Sequence, residues 1–477
     1  MSAPIPAARN RLAAFAATAA SLVAAPAGAG EVEELRALKA EIAAERAALA
    51  EERAALQDQR LRVDDTLRRI QDAEAARAHA AGAAYSGSAL AGAESGLPAP
   101  RLEVYGFIHA DAIYDINRVD PDWKDTLRPS KIPVQCGAAG DPDPGCGNDG
   151  ETILSARQSR FGVRGLIPTP VGDITTRFEF ELFGVGDDAG ETTFRLRHAW
   201  GELGQFGAGQ TWSLLMDPDV FPNTIDYWGP VGMVFFRNVQ VRWTPVNDEG
   251  LRVAVALESP GSALDQGKID TEELDLPGDF SSWDQLPDLT AQLRLEQEWG
   301  HVQVAGIARR LGIEIRASNG RGPDGYEIGG AGNLSGSFNL FGADKILWQV
   351  AGGRGFAGYM NDGGTDLAPD DEIDDAEAVP GIGWLLYYNR QWSERFTSSV
   401  GYSEHRQFTT RGQEDTAFET GQYANVNLLY HPTPDMFVGP EFVWGRLENR
   451  GGDDGIDSRV QVSFHYDFGA TIVGGDR

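Results

Sequence analysis

The hydrophobic period changes once along this chain. Up to residue 80 the apolar positions recur every seven residues, at Leu35, Ile42, Leu49, Leu56, Val63 and Ile70. Residues 31–80 are dominated by Ala, Glu, Arg and Leu and hold no Pro or Gly, and the sustained heptad column predicts an α-helical coiled coil over residues 30–80. The second column decays from Leu38 to Glu45, Glu52, Gln59 and Thr66, so the seam is weak and calls for another oligomeric part. A single solvated helix is the alternative reading. Residues 81–101 are rich in Ala, Gly, Ser and Pro and read as a flexible linker.

From Leu102 the period is two. Val104, Gly106, Ile108, Ala110, Ala112 and Tyr114 share one face of a first strand, and His109, Asp111 and Asp115 fall on the other. Ile174, Thr176, Phe178, Phe180 and Leu182 alternate with Asp173, Thr175, Arg177, Glu179 and Glu181. Leu251, Val253, Val255 and Leu257 repeat the pattern. A soluble sandwich also alternates, but its polar face is external; an apolar exterior with a wet interior is what a membrane barrel requires.

The connections favour the barrel. Seven are short, at 168–172, 203–206, 244–250, 299–301, 342–344, 390–394 and 431–435. Eight are longer, at 117–153, 184–192, 213–236, 258–288, 316–326, 357–380, 407–419 and 449–456, and the two kinds alternate. Fifteen connections predict an all-β, 16-stranded antiparallel transmembrane β-barrel over 102–468, with 469–477 left as a C-terminal extension. Short turns then lie in the periplasm, where the coiled coil projects, and long loops lie outside.

One connection differs from the rest. Gln210 to Asn238 is too apolar for an exposed loop, and Pro218, Pro222 and Pro230 interrupt it. It carries Trp212, Asp217, Asp219, Asp226 and Tyr227. We expect it to fold into the lumen as a constriction loop, with its acids facing a basic wall. An Ω-loop on a soluble β-protein is the alternative, and Asp226 could instead cap a turn.

Alternation supplies that wall. With Phe161, Val163, Phe178, Phe180, Phe194 and Leu196 turned to lipid, Arg160, Arg164, Arg177, Arg195 and Arg197 point inward, and Arg242, Arg294 and Arg309 follow. An arginine on the lipid face at the midplane costs about 2–4 kcal/mol, so a wet lumen is where they are tolerated. Their planar forks suit carboxylates, although pairing with Glu179, Glu181, Glu296 and Glu298 would neutralise them.

Residues 1–29 read as a signal peptide: Arg9 and Arg11, an Ala-rich apolar run, then Ala27-Gly28-Ala29. An exported barrel makes outer-membrane lipid and lipopolysaccharide the expected surroundings. The formal charge of −30 argues against nucleic acid. The negative charge is concentrated in 362–377 and 265–288, read as solvated external loops, with divalent-cation bridging to lipopolysaccharide as the alternative. Cys136 and Cys146, ten residues apart, suit one disulfide in an oxidising compartment.

No catalytic, cofactor or metal motif emerges. Gly353 to Gly358 satisfies G-x-G-x-x-G, but Tyr359-Met360-Asn361-Asp362-Gly363-Gly364 cannot supply the helix that a dinucleotide site needs. A hydrolase would have to use His198, His405 or His465 with a nearby serine. A structural or adhesive barrel with a coiled-coil tether is the other alternative to a passive channel.

The stretches EVYGFIHADAIYD (103–115), SRFGVRG (159–165), FRLRHAWGEL (194–203) and GQTWSLLMDPDVFPNTIDYWGP (209–230) resemble the DcaP-type porins of Gram-negative outer membranes. The resemblance runs from about residue 31 to 468 and is most specific in the last stretch. It implies a homotrimeric diffusion channel with a periplasmic coiled coil and an inward-folded third loop. It also implies a preference for small anionic solutes such as dicarboxylates.

Overall fold

A computed structural model describes residues 98–136, 143–147, 149–268, 280–315, 325–370 and 376–473. The expected signal peptide, the coiled coil and nearly all of the linker lie outside the described residues, as do the acids of 371–375.

Sixteen antiparallel strands close into a barrel. They are β1 (Arg101–Asp115), β2 (Glu151–Ser155 continued by Arg160–Thr169), β3 (Gly172–Phe183), β4 (Thr192–Leu203), β5 (Phe206–Trp212) and β6 (Arg237–Asp248). Then come β7 (Leu251–Glu258), β8 (Asp288–Gln297), β9 (Gly300–Ile315), β10 (Gly325–Asn339) and β11 (Lys345–Arg354). The circuit ends with β12 (Pro380–Ser393), β13 (Phe396–Gln407), β14 (Phe418–Asn427 with Leu429–Tyr430), β15 (Met436–Asn449) and β16 (Asp454–Val473). Each strand pairs with its sequence neighbours.

β16 returns to β1 along the whole of the first strand, from Arg101↔Val473 to Asp115↔Arg459. The described barrel therefore has no edge left to recruit another chain. The expected end of the barrel at Phe468 is too early. The strand runs on to Val473, because Gly469 to Val473 find partners from Tyr105 back to Arg101.

The period of two is realised as expected. Ile108, Phe178, Phe194, Val239, Val241 and Leu257 are exposed on the outside, while His109, Asp111, Glu179, Glu181, Gln240 and Glu258 are buried inside. The turns at one end are tight, and Gly204 and Gly342 sit at φ 59° and 68°, the left-handed region that a side chain resists. Both chain ends of the barrel lie at this short-turn end.

The lumen is filled from the other end. The β5–β6 connection packs Leu215, Met216, Val220, Met233 and Val234 against Ala305, Ile307, Leu347, Ala351 and Leu385 of β9, β11 and β12. That wall takes the loop because its small and apolar inward positions receive the loop's side chains while Gln303, Asn333 and Gln349 donate to the carbonyls of Met216, Leu215 and Gly232. The β11–β12 connection also enters, placing Phe356, Tyr359 and Met360 in the same cluster. This corrects the reading of 362–377 as solvated: Asp362 and Asp366 are buried. Asp362 accepts from Arg128 and Ser130, and Asp366 pairs with Arg309 at 3.1 Å. An acid run read from composition gives no sign that two of its members have basic partners far away in sequence.

Cys136 and Cys146 are joined in a disulfide within the β1–β2 connection.

Candidate functional site

Two glutamates organise the inner wall between β1 and β6. Glu179 and Glu181 are alternate inward positions of β3, 1% and 0% exposed. Neither carboxylate would stay charged there without partners. Arg177 donates to Glu179 at 2.7 Å. Arg197 donates to both, from Nε to Glu179 at 2.7 Å and from Nη1 to Glu181 at 2.6 Å. Arg160 is 3.4 Å from Glu181 and 3.7 Å from Glu179, and Arg195 and Arg237 stand 3.7 and 3.8 Å from Glu181. Five guanidinium groups therefore surround two carboxylates. The tyrosine hydroxyls complete the shell: Tyr105 donates to Glu179 at 2.7 Å, and Tyr227 donates to Glu181.

A β-bulge aims the central member. Glu179 pairs with His198 but Phe180 pairs with Leu196, so Arg197 is an extra residue on β4. Bulges redirect side chains, and this one sends Arg197 between the two glutamates while His198 also turns inward and meets Thr211 at 2.9 Å.

Arg237 is a member that alternation does not anticipate. Counting back from the exposed Val239 and Val241 turns it to lipid. β4 and β5, however, pair no further than Ala199↔Gln210. Above that point the β5–β6 pair, ending in Trp212↔Arg237, leans inward. Arg237 then sits over the rings of Trp212 and Phe235 at 4.8 and 5.6 Å. Its place beside Phe235-Phe236 is the one signal the sequence offers.

The remaining arginines divide. Arg164 adjoins the cluster, 3.4 Å from Glu103 and over the Tyr105 ring at 4.1 Å. Arg242 reaches the carbonyl of Trp212 at 2.6 Å. Arg294 pairs with Asp217 and Asp219 at 3.1 and 2.6 Å, and Arg309 is buried between Asp288 and Asp366. These three lie apart from the two glutamates and hold connections to the wall.

The loop acids do not line up opposite the basic wall as expected. Asp217 is buried, accepting from Ser335 at 2.8 Å and lying 2.8 Å from His301. Burial raises its pKa, but the hydrogen bonds of His301 and Ser335 and the charge of Arg294 outweigh this and hold it below the ordinary carboxylate range. Asp226 is also buried, and it caps its own turn by accepting from the Gly229 N–H at 3.3 Å while fastening the loop to other elements. It accepts from the Leu127 N–H and the Thr126 hydroxyl at 3.0 Å and from the Tyr423 hydroxyl at 3.2 Å. Burial raises its pKa despite those donors. Only Asp219 of the three is exposed. Because the loop crosses the lumen, its acids meet hydrogen-bond donors from several connections and strands, which local sequence cannot show.

A cavity of about 410 Å³ is lined by Arg160, Arg195 and Arg197, by the apolar side chains of Trp212, Phe221, Trp228, Phe236 and Met360, and by Gln158, Asp226 and Asn361. A second, of about 670 Å³, opens toward the short-turn end and is lined by Arg160, Arg164 and Arg177 together with the carboxylates of Glu103, Glu179, Asp435 and Asp467. A third, of about 370 Å³, opens toward the long loops beside Arg128 and Lys131, and shares Met360 and Asn361 with the first.

The histidines a hydrolase would need are engaged elsewhere: His198 with Thr211, His405 with the Asp362 carbonyl, and His465 with His109 and Asp467. Among the described residues no group of acids, histidines and cysteines is arranged to hold a metal ion.

A family model described as DcaP outer membrane protein matches residues 39–468. Among solved structures, the crystal structure of the outer membrane channel DcaP of Acinetobacter baumannii superposes with a TM-score of 0.66 at 20% identity, covering 78% of this chain and 98% of that one. An anion-selective porin from Comamonas acidovorans aligns at 11% identity and TM-score 0.47, over 77% of this chain and 100% of that one. OmpF of Salmonella typhi, in complex with daunomycin, aligns at 11% and 0.48, over 77% and 97%. A comparison with curated proteins returned no match.

Proposed function

The chain belongs to the DcaP outer membrane protein family, a family of outer-membrane channels, and from that premise we propose that it is a passive pore favouring small anions such as dicarboxylates. One observation carries the preference. Arg160, Arg177, Arg195, Arg197 and Arg237 outnumber Glu179 and Glu181 by three charges beside the narrowed lumen. The notion that the glutamates neutralise the arginines is met halfway, because each carboxylate is shared among several. The formal charge of −30 does not oppose this. Charges in distant loops are screened over about 8 Å at physiological salt, whereas the field at the narrowest point acts on every permeating ion.

In this reading the β5–β6 connection is the constriction loop. It closes much of the bore with apolar bulk and leaves the passage along the arginines. Its charges are spent on anchorage, so the transverse field comes from the wall alone. Three copies assemble in the outer membrane against lipid and lipopolysaccharide. The short turns and the coiled coil of 30–80 lie in the periplasm, in keeping with both barrel termini being at the short-turn end.

The test is the zero-current potential of the purified protein in a planar bilayer under a potassium chloride gradient. We expect the sign of an anion-selective pore. A cation-selective pore, or a barrel without conductance, overturns the reading; the second result favours the structural tether.

A further inference from the structure

We propose that Arg310 and Arg354 form a binding site for the phosphorylated headgroup of lipopolysaccharide on the outer face of the barrel. This rests on the reading that the long loops lie outside, and it is independent of the anion pore.

The first observation is height. The outward positions of β9 from Val302 to Ala308, and of β11 from Ile346 to Gly352, are apolar, and the next outward position on each strand is an arginine. Their neighbours Arg309 and Ala351 are buried on the inner face. At the short-turn end Trp299, Phe338 and Trp348 form a row of rings with centroids 5.8 and 6.0 Å apart. Such a row marks one lipid interface. Arg310 lies ten residues from the start of β9 and Arg354 nine from the start of β11. At a strand tilt of 35–45° that is a rise of about 25 Å, the height of the apolar band of a barrel. Both guanidinium groups therefore stand at the opposite interface, where an outward charge costs little.

The second observation is that their charge is uncompensated. Arg354 is exposed, and its side chain has no partner among the described residues. Arg310 donates to the neutral amide of Gln285, and its guanidinium lies over the Tyr326 ring at 3.8 Å. Asp284, beside Gln285, has its Oδ1 committed to the Ser262 hydroxyl and the Gly312 N–H. The outward arginines of later strands differ. Arg406 pairs with Glu419 at 3.2 Å, and Arg446 with Glu448 and Asp454 at 2.9 and 3.0 Å.

The third observation is spacing. Arg310 faces Ile328 of β10, and Arg354 faces Gly330 of the same strand from its other side. Two strand spacings and two residues put the Cα atoms on the order of 12 Å apart. Ile328 and Tyr326 are exposed between and beside them.

Two unpaired cationic forks at headgroup depth call for an anion whose oxygens are held at that depth. Phosphate suits the fork, because its oxygens accept two parallel N–H bonds. The leaflet at the long-loop end supplies lipopolysaccharide, whose lipid A headgroup carries two phosphates on one disaccharide. One phosphate reaches each arginine, and the acyl chains run down the apolar outward positions of β9 to β11. A free phosphate ion gains nothing from that band.

The experiment titrates the purified full-length protein in detergent with bis-phosphorylated lipid A, followed by native mass spectrometry. We expect Arg310→Gln/Arg354→Gln to weaken binding by about tenfold or more, and Arg406→Gln/Arg446→Gln, whose arginines are already paired, to stay within about twofold of wild type. A second reading needs no variant: dephosphorylated lipid A should bind the wild type at least about tenfold more weakly. Equal losses in the two double variants, or equal binding of the two forms of lipid A, overturn the site. Phosphatidylglycerol binding as tightly as lipid A overturns the assignment to lipopolysaccharide. The orientation is read separately, with a membrane-impermeant maleimide on intact cells. Asp187→Cys, on a long loop, should be labelled and Val171→Cys, on a short turn, should not. The reverse result removes the premise whatever the titrations give, and so the two failures are distinguishable.

Discussion

The ring of Tyr227 lies flat on the ring of Phe183, with centroids 3.7 Å apart and planes 4° from parallel. Arg157 sits over the Phe183 ring at 4.1 Å, and the Tyr227 hydroxyl accepts from Arg195 at 3.0 Å while donating to Glu181. One residue of the inward loop is thus fastened to the top of β3 by its ring and to the charged wall by its hydroxyl.

That double fastening separates two substitutions. Tyr227→Phe keeps the stack and loses hydrogen bonds to charged groups, worth about 1.5–3 kcal/mol each. Tyr227→Ala loses both. Single-channel recordings are expected to show a noisier pore of nearly unchanged mean conductance in the first, and a larger mean conductance in the second. Identical records for the two would mean that the stack contributes nothing.

Arg197→Gln and Arg160→Gln are expected to differ in stability. Arg197 is bonded to two buried carboxylates, and removing one partner of such a pair costs about 3–5 kcal/mol because the other charge remains buried. The longer distances around Arg160 predict a smaller loss. The temperature at which the folded barrel unfolds in detergent, followed by gel mobility, should fall further for Arg197→Gln. Equal temperatures would contradict the ranking.

Asp217→Asn is expected to release the near end of the inward loop. The carboxylate gathers His301, Arg294 and Ser335, and an amide leaves Arg294 without one of its anions. Limited proteolysis in detergent should cut between residues 213 and 236 faster than in the wild type, without unfolding the strands. Cleavage at the wild-type rate would show that packing against β9, β11 and β12 is sufficient.

Cys136→Ser is expected to act only locally. The disulfide closes a loop of ten residues, for which chain entropy gives on the order of 2–3 kcal/mol. Conductance and selectivity should match the wild type, and proteolysis near residues 137–145 should accelerate. A changed reversal potential would place this segment nearer the conduction path than its position in the β1–β2 connection implies.

Deleting residues 31–80 is expected to leave a conducting barrel, because β1 and β16 close it over the length of β1. Bilayer conductance of the shortened protein checks this; loss of insertion would make the heptad segment part of barrel assembly.

The sequence alone determined what depends on period and length. Alternation fixes which side of each strand meets lipid, because successive side chains point to opposite faces. The rhythm of short and long connections fixes the strand number, and the composition of Gln210–Asn238 marks the loop that leaves the surface. Tertiary structure decided everything that depends on residues meeting across the lumen. Asp217 and Asp226 are indistinguishable from Asp219 as letters; the first two are buried because His301, Ser335, Thr126 and Tyr423 come from elements far away in sequence. Arg237 defeats alternation because the β5–β6 pair parts from β4 above Gln210. Arg197 reaches both glutamates because a single extra residue shifts the register opposite Glu179. A period of two records the direction of a side chain, and it carries no information about where a strand stops pairing or bulges.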